Sequence, residues 1–546
     1  MFEEYMVPMR DGIELYTRVW KPTGGGKYPV VLERGYWPGM DASVTTQYKM
    51  PDHSVEFPQA GYIYVGQKTR GSLEGGMFFP DAKDGYDCLD WISRQPWCDG
   101  NIGMYGRSFM GATQWLTAPE RHPNLKAIVP QCVNVNFWER GYWDHGALQL
   151  AHVARRIYKT ETADYSDRVE AFGGWEKFYR HLPLITLDET TVGVANRLWK
   201  EYVAHSHYDY YWSRLQVHYE AINIPVFIHG GWYDNYAAAA FNQYSALRPG
   251  HRPGELRLAV NPTQHNNVVV GDRDFGPTVA KDEIALACRW FDRWLKGLDN
   301  GLDSEPPISI FVMGENVWRA EDAWPLTRTQ FTPYYFHSDG GKDGWLSPKP
   351  PGDERPTQYT YDPDDPVPSL GGNHSSPEYQ PHILRVGTMD QRPNESRPDV
   401  LVFTSEPVEH NVEVTGPVLV KLYAASTAPD TDFVVKLIDV DPDGTAWNLT
   451  GGIIRARFRE SIYQPPSLIQ PGRDYEYTIE LLPTSNVFKR GHRIRLHVTS
   501  SDFPLYDRNP NTGHEQGMSA EIQRAEQTIY HDSARPSHVV LPIIPR

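Results

Sequence analysis

Cysteine is scarce in this chain: only 4 of 546 residues, Cys88, Cys98, Cys132 and Cys288. They show no metal-ligand spacing, and four in so long a chain make no disulfide framework. Positive charge is also short, with 53 Lys and Arg against 69 Asp and Glu and a formal net charge of −16. A protein that tracks phosphates carries the opposite balance or a basic block, so no nucleic-acid partner is expected. No apolar run approaches the roughly 18 residues a bilayer span requires, so no membrane association is expected. The opening MFEEYMVPMRDG has neither a basic n-region nor an apolar h-region, and a cytoplasmic location is expected. Missing too are HExxH, GxxxxGK[ST] and a GxGxxG after a strand; no metal and no cofactor are expected.

What remains is ordinary for packed globular protein: 40% hydrophobic and 22% charged residues, too apolar for disorder. At roughly 150 residues per domain, the length predicts three or four folding units. Aromatics reach 13%, with 17 Trp and 32 Tyr, which suits either core packing or a pocket for an apolar ligand.

Short apolar runs alternate with helical patterns over residues 1–136, the signature of an α/β sheet. Strands are expected at 13–20, 28–34, 62–67, 102–105 and 126–130, and helices at 84–94 and 109–118. Over 137–221 strand-like runs become rare, helical periodicity and aromatics dominate, and a helical insertion is expected. The α/β pattern resumes over 222–303, with strands at 224–230 and 256–260 and helices at about 236–247 and 282–297. From 304 to 546 helices vanish. Pro- and Gly-rich turns separate alternating runs such as DFVVKLIDV and HRIRLHVTS, which predicts a C-terminal all-β sandwich or jelly roll.

The strand at 102–105 runs into Gly106–Arg107–Ser108–Phe109–Met110–Gly111 and then a helix. A serine on such a turn has its hydroxyl held out at the carboxyl edge of the sheet. The usual signature is G-x-S-x-G, and Met110 occupies its last position, so this motif is weak by itself. A serine nucleophile also needs an imidazole to take its proton and a carboxylate to orient the imidazole. In α/β hydrolases these follow the serine as acid, then histidine, each just after a strand. Asp234 follows the strand at 224–230, and His265 follows the one at 256–260. His251 precedes its strand and belongs to the other edge. Ser108, Asp234 and His265 thus form the candidate triad.

An acyl-transfer site needs donors for the developing oxyanion. The Phe109 N–H is one candidate, and the Tyr36 hydroxyl, in the loop after an early strand, is the other; packing of Tyr36 and Trp37 on an apolar wall is an equal alternative. Asp439, Asp441, Asp443 and Gly444 imitate a calcium loop. Thr450 stands where the bidentate Glu is required, so a polar turn between strands is expected instead.

Taken in series, MVPMRDGIELYTRVWKP, TRGSLEGG, DGYDCLDWISRQPWCDGNIGMYGRSFMG, HGGWYDNY and DRWLKG resemble the cocaine esterase and X-Pro dipeptidyl-peptidase-like hydrolases, which include α-amino acid ester hydrolases. The likeness continues through GPVLVKLYAAS, GGIIRARFRES and DRNPNTG. It implies an α/β-hydrolase domain, a helical cap inserted between serine and acid, and a C-terminal jelly roll. It also implies Ser108 as nucleophile in a G-x-S-[YF]-x-G motif that tolerates Met110. Asp234 falls at the acid of G-W-Y-D, and Tyr36 at the oxyanion tyrosine, with Gly35 where the family has Pro. The family's histidine loop resembles G-P-W-x-H; here Asn261–Pro262–Thr263–Gln264–His265 keeps the Pro and His.

The expected function is a serine hydrolase of carboxylic esters, working through an acyl-enzyme on a small-molecule ester. Activity should climb with pH over the range in which imidazole loses its proton. Trp37, Phe137, Trp138, Trp143, Trp175 and Trp232 are candidate pocket residues for an apolar or aromatic acyl or alcohol group. Family members that act on α-amino acyl groups hold the ammonium with cap acids, and here only Glu139 or Asp144 could serve. The alternatives are amide or peptide hydrolysis (X-Pro dipeptidyl-peptidase or β-lactam acylase), acyl transfer to an acceptor, and a non-catalytic carbohydrate- or surface-binding protein. A homo-oligomer is left open, with the β region a dimer surface, a lid support or a stabilising partner.

Overall fold

In the computed structural model the described residues are 2–35, 53–70, 79–154, 165–267, 269–279, 281–373 and 384–546. The first sheet is built from β1 (Phe2–Pro8), β2 (Glu14–Trp20), β3 (Tyr28–Gly35), β4 (Ile63–Lys68), β5 (Cys98–Arg107) and β6 (Leu125–Gln131). After a two-residue hairpin, β7 (Trp143–Asp144) and β8 (Ala147–Leu148), it continues with β9 (Val226–Gly231), β10 (Leu256–Asn261), β11 (Ile308–Val312) and β12 (Val317–Glu321). The strand order is β1-β2-β4-β3-β5-β6-β9-β10-β11-β12, parallel from β4 through β11. Parallel neighbours need crossover connections. Helices α1 (His53–Gln59), α2 (Phe79–Ser93) and α3 (Phe109–Thr117) supply them in the first half.

Between β6 and β9 lie short helices: α4 (Tyr165–Phe172), α5 (Trp175–Tyr179), α6 (Leu187–Val192), α7 (Arg197–Ala204) and α8 (Tyr210–Ser213). They close over a core of their own around Trp138, Trp143, Trp199 and Trp212. The aromatic density of this segment therefore serves packing first. Crossovers resume with α9 (Ala237–Leu247) and α10 (Glu283–Trp294), the latter capped by the Asp282 carboxylate on the Ala285 N–H at 3.0 Å.

The central strands are buried on both faces, as a parallel sheet with helices on each side requires. Val30, Leu32, Ile102, Met104 and Ile128 enter one core. Val31, Tyr105, Val129, Phe227 and Ala259 enter the other, against Phe57, Trp290 and Phe291. Three strands differ from the sequence expectation. β1 was not anticipated, because its charged, mostly exposed edge carries little apolar signal. β11 and β12 lie beyond the boundary expected at 304, yet they complete the first sheet. An antiparallel hairpin with no helix, preceded by Pro306 and Pro307, has the same texture as the β region that follows.

Residues from Gln330 onward form a 14-stranded sheet around Phe336, Phe403, Leu422, Val435 and Leu496. It packs on the cap and on the first sheet. The Tyr506 hydroxyl donates to Asp144 at 2.8 Å and the Leu148 N–H to Asp507 at 2.7 Å.

Candidate active site

Ser108 leaves the end of β5 with φ 58° and ψ −121°, a backbone conformation that non-glycine residues adopt only where the surroundings impose it. Two glycines impose it here. A Cβ on Gly106 would lie 2.5 Å from the Met110 Cβ, and one on Gly111 2.8 Å from the Val133 Cγ1 and 3.1 Å from the Gln131 carbonyl. The turn is thereby pressed against β6, where the Ser108 N–H donates to Gln131 O at 2.9 Å. Met110 fits because the neighbouring strand is also bare: a Cβ on Gly35 would meet its Cγ at 2.7 Å. Phe109 opens α3, the end at which N–H donors and the positive dipole collect.

Asp234 and His265 stand beyond the ends of β9 and β10, and their loops are stitched together. The Trp232 N–H donates to Asn261 O at 2.7 Å and the Tyr233 N–H to Thr263 O at 3.2 Å. Gly231 allows this approach, since a Cβ there would sit 2.3 Å from the Thr263 carbonyl. His265 Nδ1 is 3.1 Å from Asp234 Oδ2, and the other carboxylate oxygen accepts the Tyr236 N–H at 2.9 Å. A proton on Nδ1, held by the carboxylate, leaves Nε2 as the basic nitrogen.

Asp234 is fully buried. Burial alone would raise its pKa, but His265, the Tyr236 N–H and the Cys132 thiol outweigh that and hold it below the ordinary carboxylate range. Cys132 is itself pushed well up by burial, so it stays a thiol and a donor. Its backbone, at φ 46°, continues the ladder from the Ser108 turn: the Cys132 N–H donates to His229 O on β9 at 2.9 Å.

The chain as a whole is similar to known proteins. Residues 11–267 match the family model of the X-Pro dipeptidyl-peptidase (S15 family), and residues 300–540 that of the X-Pro dipeptidyl-peptidase C-terminal non-catalytic domain. The cocaine esterase of Rhodococcus sp. is 36% identical over 577 aligned residues, covering 99% of this chain and 98% of its own length. The chain belongs to the cocaine esterase and X-Pro dipeptidyl-peptidase-like serine hydrolases. It is a carboxylic ester hydrolase of α/β-hydrolase fold. Two solved structures extend the likeness over 100% of the chain and 96% of theirs, each at 26% identity. One is an α-amino acid ester hydrolase, with a TM-score of 0.81. The other is an aminopeptidase from a marine sediment archaeon, Thaumarchaeota archaeon, with a TM-score of 0.82.

Tyr36 and Trp37, which follow the last residue of β3 in the chain, lie outside the described residues. The other aromatic candidates are placed by packing. Trp232 donates its ring N–H to Phe311 O at 2.9 Å and stacks on Phe241, inside the core of the first sheet. Phe137, Trp138 and Trp143 are buried in the cap core, and Trp175 packs half-buried on Phe178 and Tyr179.

Among the described residues, the ring set against His265 is one the sequence did not single out for the pocket. The Tyr236 ring lies 5.7 Å from the His265 ring, and its hydroxyl is 3.0 Å from His152 Nε2. His152 leads to Tyr142 and then to Phe137, at 6.1 and 4.6 Å. Both cap acids are engaged by their own neighbours. Glu139 accepts from Tyr463 at 2.5 Å, while Asp144 accepts from Tyr506 and lies 2.7 Å from His145 Nδ1. The calcium-like segment is a hairpin turn, with the Asp441 N–H on Thr445 O at 2.8 Å. Asp439, Asp441 and His492 offer ligand atoms within 4.8 Å of one another. Arg273 and Asn486, however, donate to Asp439, which makes this cluster an ion-pair junction between domains.

Proposed function

We propose that Ser108 attacks the acyl carbon of a carboxylic ester while His265 takes its proton through Nε2 and Asp234 stabilises the imidazolium. The tetrahedral oxyanion is received by the Phe109 N–H and the Tyr36 hydroxyl. His265 then protonates the leaving alcohol and activates the water that releases the acid. The observation that carries this reading is the buried Asp234–His265 pair, at 3.1 Å, on the sheet edge where Ser108 is held at positive φ.

The substrate is a small ester with an apolar or aromatic acyl or alcohol group and no free ammonium beside the carbonyl. Engagement of Glu139 and Asp144 by neighbouring side chains supports the missing ammonium. The Tyr236 ring beside His265 supports the apolar group. The family match of residues 11–267 favours a second reading, amide or peptide cleavage at the same serine. The domains are divided, in this reading, at 136/137, 221/222 and in the segment after 303, the C-terminal one being a jelly roll. The protein is assigned to the cytoplasm; no described helix is long and apolar enough to cross a membrane.

Fluorophosphonate labelling with mass-spectrometric mapping tests the mechanism, and label is expected on the peptide that contains Ser108. Folded protein that takes no label would overturn it. Matched 4-nitrophenyl esters and 4-nitroanilides of benzoic and butyric acid test the substrate class. Faster anilide cleavage would transfer the conclusion to the second reading.

A further inference from the structure

Along the sheet face covered by α1 and α10, the inward side chains change character one pleat before the carboxyl ends. Val31 gives way to Glu33, Tyr105 to Arg107, Val129 to Gln131 and Phe227 to His229, each two residues further along its strand. Arg107, Gln131 and His229 are direct register partners on β5, β6 and β9. Buried charge in such a row is costly unless satisfied.

Arg107 is the cation of this row, buried to 7% exposure, and its guanidinium is shared among four groups. Nη1 donates to the backbone carbonyl of His265 at 2.7 Å and lies 3.3 Å from Cys132 Sγ. Nη2 donates to Gln131 Oε1 at 3.2 Å and makes a short ion pair with Glu283 at the start of α10. Cys132 is among the groups that hold the Asp234 carboxyl down. One side chain, adjacent to Ser108 in the chain, therefore grips the backbone of His265 directly and touches the Cys132 thiol as well.

We propose that Arg107, anchored by Glu283, is a positioning residue that fixes the His265 loop relative to the Ser108 turn. This inference rests on the triad reading above. The Asp234 carboxylate orients the His265 ring but does not fix where the loop stands. A bidentate cation that grips the loop carbonyl while its other arm is tied to a helix supplies that second restraint. Misplacement by about 1 Å costs roughly 10²-fold in rate even when the reacting groups are intact.

A stabilising ion pair with no part in positioning would also make Arg107 sensitive to mutation, so the test separates the two roles. Arg107→Met paired with Glu283→Met removes both buried charges at similar volume, and such replacements restore stability in many proteins. The double variant is expected to unfold near the wild-type midpoint yet hydrolyse 4-nitrophenyl butyrate with kcat about 10- to 100-fold lower and KM within threefold. Arg107→Lys keeps the charge but cannot span both Glu283 and the carbonyl. It should lose kcat similarly, and it serves if the double variant does not fold. Recovery of kcat together with stability in the double variant, or wild-type kcat in folded Arg107→Lys, would overturn the inference. Wild type and Ser108→Ala run alongside: wild type that neither labels nor turns over would sink the triad reading itself, whereas active wild type with equally active variants would sink only the role of Arg107.

Discussion

Glu283 joins stability to pH at the scale of one residue. Burial pushes its carboxyl up, but Arg107 and His229 outweigh that and hold it at about 2, against an ordinary value of 4.5. A carboxyl with a depressed pKa stabilises the fold above its unfolded value and loses that contribution as pH falls through the folded one. The window is therefore pH 4.5 down to about 2, and the contribution on the order of 3 kcal/mol. Glu283→Gln cannot titrate, so urea melts between pH 5 and pH 3 should show a shallower loss of stability than wild type. Parallel losses in the two proteins would mean that Glu283 titrates normally.

At the scale of elements, the serine turn depends on matched absences of side chain. Gly35→Ala should clash with the Met110 Cγ and Sδ, which would lie 2.7 and 3.0 Å from the new methyl, and destabilise by about 1–3 kcal/mol. Adding Met110→Ala should restore that variant, since both offending atoms are gone. The same second change should not restore Gly106→Ala, where the contact is with the Met110 Cβ that alanine keeps. Melts of the four variants decide it, and rescue of both or of neither would refute the geometry.

The sequence made these elements readable because period-2 apolar runs ended in turn residues. The strands expected at 28–34 and 256–260 are observed as Tyr28–Gly35 and Leu256–Asn261. Asp234 and His265 were readable because loops that follow strands are marked in one dimension. Arg107, Cys132 and His152 were not, since their partners lie 158 residues (His265), 102 residues (Asp234) and 84 residues (Tyr236) away in the chain. The core placement of Trp138, Trp143 and Trp232 was hidden for a related reason. Whether an indole faces a pocket or a core is decided by neighbours such as Phe241 and Phe311, which no local pattern reveals.

At the scale of the whole molecule, the C-terminal β domain grips the loops that carry Asp234 and His265. Asn373 donates to Trp232 O and the Tyr233 hydroxyl to Asn448 O, beside Asp234. Beyond His265, the Asp272 N–H donates to Thr388 O at 2.7 Å, and Arg273 pairs with the buried Asp439 at 2.8 Å. Asp439→Ala strands the part-buried Arg273 without its carboxylate, and about 3–5 kcal/mol should be lost. Its esterase kcat should also fall at temperatures where the protein is still folded. Urea melts beside kinetics check this, and full kcat in a destabilised variant would confine the domain to a supporting role.

The same grip sets an order in time. Ser108 and its turn emerge from the ribosome early, but the groups that brace the Asp234 and His265 loops from the β domain come from residues 373–448. The domain that carries them is pinned in turn by pairing of Gln330–His337 with His538–Ile544. A nascent chain therefore carries Ser108 for most of its synthesis before the residues that brace the Asp234 and His265 loops from outside have been made.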